Sequence, residues 1–155
     1  MNKTKVIKIA ENGKLDARFL DKVHYIIRNM READAEEIRA EGDTPENGVV
    51  ESILSSVECF MAIKENPLCV YGVAETAEGT TIWMLASKDI DNAHKDLVGI
   101  GMGYINEKVK EYGLVYNYIS EKNTKALRYI KHAGAEFTGR VNINGTEFIR
   151  FEIRR

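Results

Sequence analysis

Three β-type runs in close succession, "ECFMAIKEN", "PLCVYGVAET" and "TTIWMLASK", followed at once by one long helical run, constrain the fold of this chain more than any other feature. The turn signals Asn66-Pro67 and Glu78-Gly79 punctuate the runs, so they read as an antiparallel meander. The next stretch, "DNAHKDLVGIGMGYINEKVKEYG", carries apolar residues at Ala93, Leu97, Ile100, Tyr104, Ile105, Val109 and Tyr112, a helical spacing closed by Gly113.

Before the meander, "READAEEIRAEG" reads as a helix with acids in its first turns and Gly42 past its end. "TPENGVVESILSSV" reads as a second helix, with Thr44 ahead of a first-turn proline. "VHYIIRNM" is rich in β-branched residues and is predicted as the strand that begins the main domain. After the long helix come a strand "LVYNYIS", a helix "NTKALRYIKHAG" bounded by Asn123 and Gly134, and a hairpin turning at Asn144-Gly145. The predicted order is β, α, α, β, β, β, α, β, α, β, β. That is a mixed α/β (α+β) fold with a mostly antiparallel central sheet flanked by helices. Residues 1–24, with "KVIKIAE" and an amphipathic "LDARFLDKV", are expected to form an N-terminal arm on a domain spanning 25–155.

A chain of 155 residues can bury one core without disulfides or metal. Cys59 and Cys69 have no CxxC spacing and read as buried thiols of a reducing compartment, and no metal site is expected. With a net charge of -2 and interspersed signs, nucleic-acid binding is not expected. No apolar run reaches the roughly 18–20 residues a bilayer requires, so no membrane partner is expected and the location reads as cytoplasmic.

The element order and the segment "YNYISEKNTKALRYIKHAGAEF" carry a resemblance. The pattern N-x-x-A-x-x-x-Y-x-x-x-G-F places Asn123, Ala126 and Gly134 at the Asn, small and Gly positions. On these residues the chain resembles the GNAT N-acetyltransferase fold. Over residues 25–153 it resembles the GNAT-like internal virion and head-morphogenesis proteins of short-tailed T-odd coliphages. The resemblance implies an acyl-CoA pyrophosphate loop, (Q/R)-x-x-G-x-(G/A), at the start of the long helix, where orphan N–H groups and the helix dipole favour an anion. Ala93 lies 30 positions before Asn123, the separation the resemblance supplies for the end of that loop, so "KDIDNA" fills the slot. The implied cofactor-binding positions are Leu85, Ala86, Lys88, Asn92, Ala93 and Asn123.

The glycines of "GIGMG" fall 24 to 20 positions before Asn123, too late for that loop. They are expected inside the helix, with Gly99 and Gly103 admitting a close backbone neighbour. "KDIDNA" has Asp91 where the loop glycine belongs and a second carboxylate in Asp89, both unfavourable to a pyrophosphate; Asp91 is predicted to cap the helix. At the position where the family commonly places a tyrosine as general acid stands Ile130, with Tyr129 one residue early and about 100° around the helix. Glu58, Glu75 and Glu121 are candidate bases by location, each also readable as a solvated strand-end charge, and no catalytic residue is assigned. His24, His94 and His132 have no metal spacing.

Two functions stand against each other. One is a GNAT-fold phage-type protein of the host cytosol or virion without efficient acetyl transfer and without a cofactor, with a phage or host protein partner, acting in virion assembly, as an internal virion component, or by binding a host protein. The other is an acetyl-CoA-dependent N-acetyltransferase with a divergent loop. Oligomeric state is not legible.

Overall fold

The computed structural model describes residues 3–155. The strands are β1 (Lys5–Glu11), β2 (Lys14–Leu15), β3 (Glu58–Ile63), β4 (Pro67–Thr76), β5 (Gly79–Ala86), β6 (Leu114–Ser120), β7 (Glu136–Ile143) and β8 (Thr146–Arg154). They form one sheet in the order β2-β1-β3-β4-β5-β6-β8-β7. The helices are α1 (Leu20–Arg28), α2 (Glu32–Ala40), α3 (Pro45–Leu54), α4 (His94–Tyr112) and α5 (Thr124–His132), with 3-10 turns at Ala17–Phe19 and Lys88–Ala93.

The predicted meander is present: β3, β4 and β5 pair antiparallel in sequence. β1 lies against β3 and so belongs to the sheet. The β5–β6 pair is parallel and is joined at only Thr80–Val115 and Thr81–Tyr116. Beyond those pairs the two strands diverge and leave a cleft.

Two apolar clusters sandwich the sheet. One packs Ile9, Met61 and Val70 against Val23 and Ile26 of α1 and Val49 and Ile53 of α3. The other packs Tyr71, Val73, Val115 and Phe151 against Tyr104, Ile105 and Val109 of α4 and Ile130 of α5. β4, central to the sandwich, is buried from Pro67 to Val73 and so is apolar on both faces. Cys59 and Cys69 are buried free thiols, both pushed up to about 12 by burial.

"VHYIIRNM" is helical, contrary to the predicted strand, and forms most of α1. Its Val and Ile residues favour strands in isolation, but Val23, Ile26 and Met30 recur at helical spacing and bury on the sheet. The hairpin turns at Asn144 and Gly145, which hold φ of 51° and 88° as a two-residue turn requires.

The glycines of "GIGMG" lie within α4, as their spacing implies, but the close neighbour is not where it was expected. A Cβ at Gly99 or Gly103 would meet nothing within 4 Å, whereas at Gly101 it would lie 2.2 Å from the Tyr129 hydroxyl. Alanine at Gly99 or Gly103 is therefore expected to raise stability by about 0.5–1 kcal/mol. Gly101→Ala is expected to lower stability until Tyr129→Phe removes the hydroxyl. Urea unfolding of the single and double variants checks the pair.

Candidate functional site

Diverging parallel strands leave backbone N–H and C=O groups that need partners. Here the chain supplies them from its own length. Asn117 of β6 reaches across the opening, its Nδ2 donating to Ile82 O of β5 at 2.9 Å. Further out, Arg31 N donates to Ala86 O at 2.8 Å, and Lys88 N donates to Asn29 O at 2.9 Å. The segment between α1 and α2 thus lies along the open edge of β5, with Met30 bridging to Ser87.

The first turns of α2 complete the closure with two carboxylates one helical turn apart. Asp34 Oδ2 accepts from Ala86 N at 2.8 Å. Glu37 Oε1 accepts from Ser120 N at 3.0 Å and from Asn123 Nδ2 at 3.1 Å. Asp34 is 3% exposed; burial pushes its carboxyl up, against the pull of the Arg31 guanidinium, which bonds Oδ1 at 2.8 Å. Burial likewise raises Glu37 to about 7, with the Asn123 and Ser120 donors opposing. Glu37 borders a cavity of about 370 Å³ between α2, the β6–α5 turn and the start of β8.

Of the sequence-derived cofactor positions, Ala86 lies in this cleft with both backbone groups engaged by the chain itself. Leu85 packs against the α1–α3 cluster. Asn123 caps α5, its Oδ1 accepting from Ala126 N at 3.4 Å, and is 7% exposed. Lys88, Asn92 and Ala93 fall in the 3-10 turn that immediately precedes α4, with Lys88 and Asn92 exposed and Ala93 buried. The helix begins where the count from Asn123 puts it.

Asp91 does not cap α4: Ser87 caps the turn through Asp89 N, and the residue before the helix, Ala93, has no capping side chain. Asp89 turns back into the protein, where Tyr25 Oη donates to it at 2.5 Å and Ser87 Oγ at 3.3 Å. Its charge is thereby committed, and Asp91 is the exposed carboxylate of the slot.

None of the three glutamates proposed as bases bonds into the cleft. Glu58 forms a half-buried ion pair with Lys108 at 2.8 Å and accepts from Tyr104 Oη at 2.7 Å, which is not a solvated strand end. Burial pulls the Glu58 carboxyl up, and the Lys108 and Tyr104 bonds outweigh it and hold it below its ordinary value. Glu121 pairs with Arg140 at 2.9 Å and Glu75 is exposed. Ile130 is buried, and the Tyr129 hydroxyl donates to Val98 O of α4 at 3.3 Å. The cleft carboxylates, Asp34 and Glu37, read in sequence as ordinary helix-start acids. The available signal was their place beside Ala35 and Ile38 on the buried face of α2.

Known structures superpose on nearly the whole chain. An N-acetyltransferase from Staphylococcus aureus Mu50 matches with a TM-score of 0.69 at 9% identity, covering 98% of this chain and 97% of that one. The ribosomal-protein-S18-alanine N-acetyltransferase of Escherichia coli gives 0.64 at 8% identity, covering 98% and 94%. The chain has the GNAT N-acetyltransferase fold. A Bacillus subtilis acetyltransferase in complex with CoA shares this GNAT fold, with a TM-score of 0.60 at 14% identity over 99% of both chains. The sequence matches no protein-family model and no curated protein. Among the described residues no helix is long and apolar enough to cross a membrane.

Proposed function

We propose that this is a GNAT-fold protein without efficient acetyl transfer, which acts by binding another protein. One observation carries the reading: the outward backbone groups of Ala86, on the open edge of β5, are occupied by Asp34 and by Arg31 N. A cofactor lying along that edge would have to displace a 2.8 Å charge-assisted bond. The exposed Asp91 in a glycine-free turn and the absence of a cleft-facing hydroxyl at Ile130 support the same reading. Its resemblance to coliphage virion and morphogenesis proteins, sharpest over residues 116–137, supports a role in virion assembly, as an internal virion component, or on a host protein.

An acetyl-CoA-dependent N-acetyltransferase is the second reading, favoured by the retained divergence of β5 and β6 and by Asn123 at the start of α5. Thermal unfolding separates the two. Acetyl-CoA at about a hundred times a micromolar dissociation constant would stabilise the native state by about 2.7 kcal/mol, a melting shift of several degrees. No shift is expected, and a shift of that size would favour the enzyme.

A further inference from the structure

The closure of the cleft has the chemistry of a substitute ligand. Ala86 presents one N–H and one C=O outward, the complement of a secondary amide, and residues 31 and 34 answer each of them. Glu37 answers the matching N–H on the opposite strand, Ser120. Every one of these bonds comes from a single stretch, residues 29–37, and every acceptor or donor it meets on β5 and β6 is backbone.

Within that stretch the buried apolar side chains are Met30 and Ala35. α2 adds only Ile38 beyond them, and Asp34 is buried alongside with its carboxyl pushed up by burial. Arg31 Nε is buried without a hydrogen-bond partner, the one such side-chain atom among the described residues. The desolvation of the Arg31–Asp34 pair and the unpaired Arg31 Nε both work against the closed arrangement, and a region held by polar contacts of this kind opens before the core does. The cavity beside Glu37 lies between α2 and residues Ser120, Lys122, Asn123 and Thr146, so α2 meets β6 and α5 there across open space as well as through Glu37.

We propose that residues 29–37 are an autoinhibitory plug, which occupies the β5–β6 cleft in place of an amide-bearing acyl thioester and leaves it by local opening. This rests on the reading that the cleft of the resting protein is silent. Opening frees the N–H of Ala86 and of Ser120 as donors and the C=O of Ala86 as acceptor. An extended amide chain can then pair with the edge of β5 as an added strand does.

Hydrogen exchange on the full chain tests the opening. The amides of Ala86 and Ser120 are expected to exchange at least tenfold faster than those of the β3–β4 ladder, and equal protection would overturn the proposal. Occupancy is tested with the double variant Arg31→Ala and Asp34→Ala, which removes both members of the buried pair. The probe is acetyl-pantetheine, which lacks the phosphates that the acidic turn disfavours. At millimolar probe the amide resonances of Ala86 and Ser120 should shift in the variant and not in the original chain. No shift in a variant that still unfolds cooperatively would overturn the plug and leave the silent-cleft reading intact. Binding by the original chain at micromolar acetyl-CoA would overturn both. If the variant does not fold, the exchange ratio decides alone.

Discussion

Arg31→Ala is expected to destabilise the protein by about 3–5 kcal/mol, because it strips a buried carboxylate of its counter-charge. Arg31 Nη2 bonds Asp34 Oδ1 at 2.8 Å, and the Asp34 side chain is 4% exposed. Without the guanidinium, Asp34 retains the single N–H of Ala86, and its carboxyl, already raised by burial, rises further. The deficit should therefore shrink as pH falls and Asp34 takes up a proton. The double variant that also carries Asp34→Ala should cost less than Arg31→Ala alone, since no charge is then left buried without a partner. Urea unfolding of the single and double variants reads this out. A single variant within 1 kcal/mol of the original chain would mean that the pair behaves as a solvated surface contact.

The second large effect is a pH dependence that runs against the usual carboxylate trend. Glu37 is raised from 4.5 to about 7 in the folded chain, chiefly by burial. Between those values the native state holds a proton that the unfolded state has released, so stability falls as pH rises through the window and levels off above it. The full shift corresponds to about 3 kcal/mol as an upper limit. Asp34 and Glu41 are raised as well and tilt the curve the same way, whereas Glu58, Asp16 and Glu152 are lowered and lose their contribution only at more acidic pH. Glu37→Gln keeps an oxygen for Ser120 N and Asn123 Nδ2 without the charge. It is expected to stabilise the protein at pH 8 and to flatten the fall between pH 5 and 7; an unchanged slope would place the titration elsewhere.

Much of the fold was legible because local signals and packing agree. The meander, α3 with its Thr44 cap, the Asn123 cap of α5 and the Asn144-Gly145 turn all follow from residues within a few positions of one another. The position of the turn before α4 matched the Ala93-to-Asn123 separation that the resemblance supplies, rather than any glycine motif. What was not legible depends on partners distant in sequence. α1 is helical because its Val and Ile residues meet the sheet at helical spacing. The room at Gly101 is taken by a hydroxyl from α5, and nothing around Gly101 in sequence announces Tyr129. Asp34 and Glu37 acquire their role only because β5 and β6, separated in sequence by the whole of α4, pair at just two positions and then diverge.

The central claim is that the cleft of the resting protein is occupied by the protein itself. Equilibrium dialysis of the full chain against labelled acetyl-CoA at neutral pH tests it most directly. The account predicts no retention above the free concentration up to about 1 mM ligand, and saturable retention with a Kd of about 10 μM or tighter would contradict it.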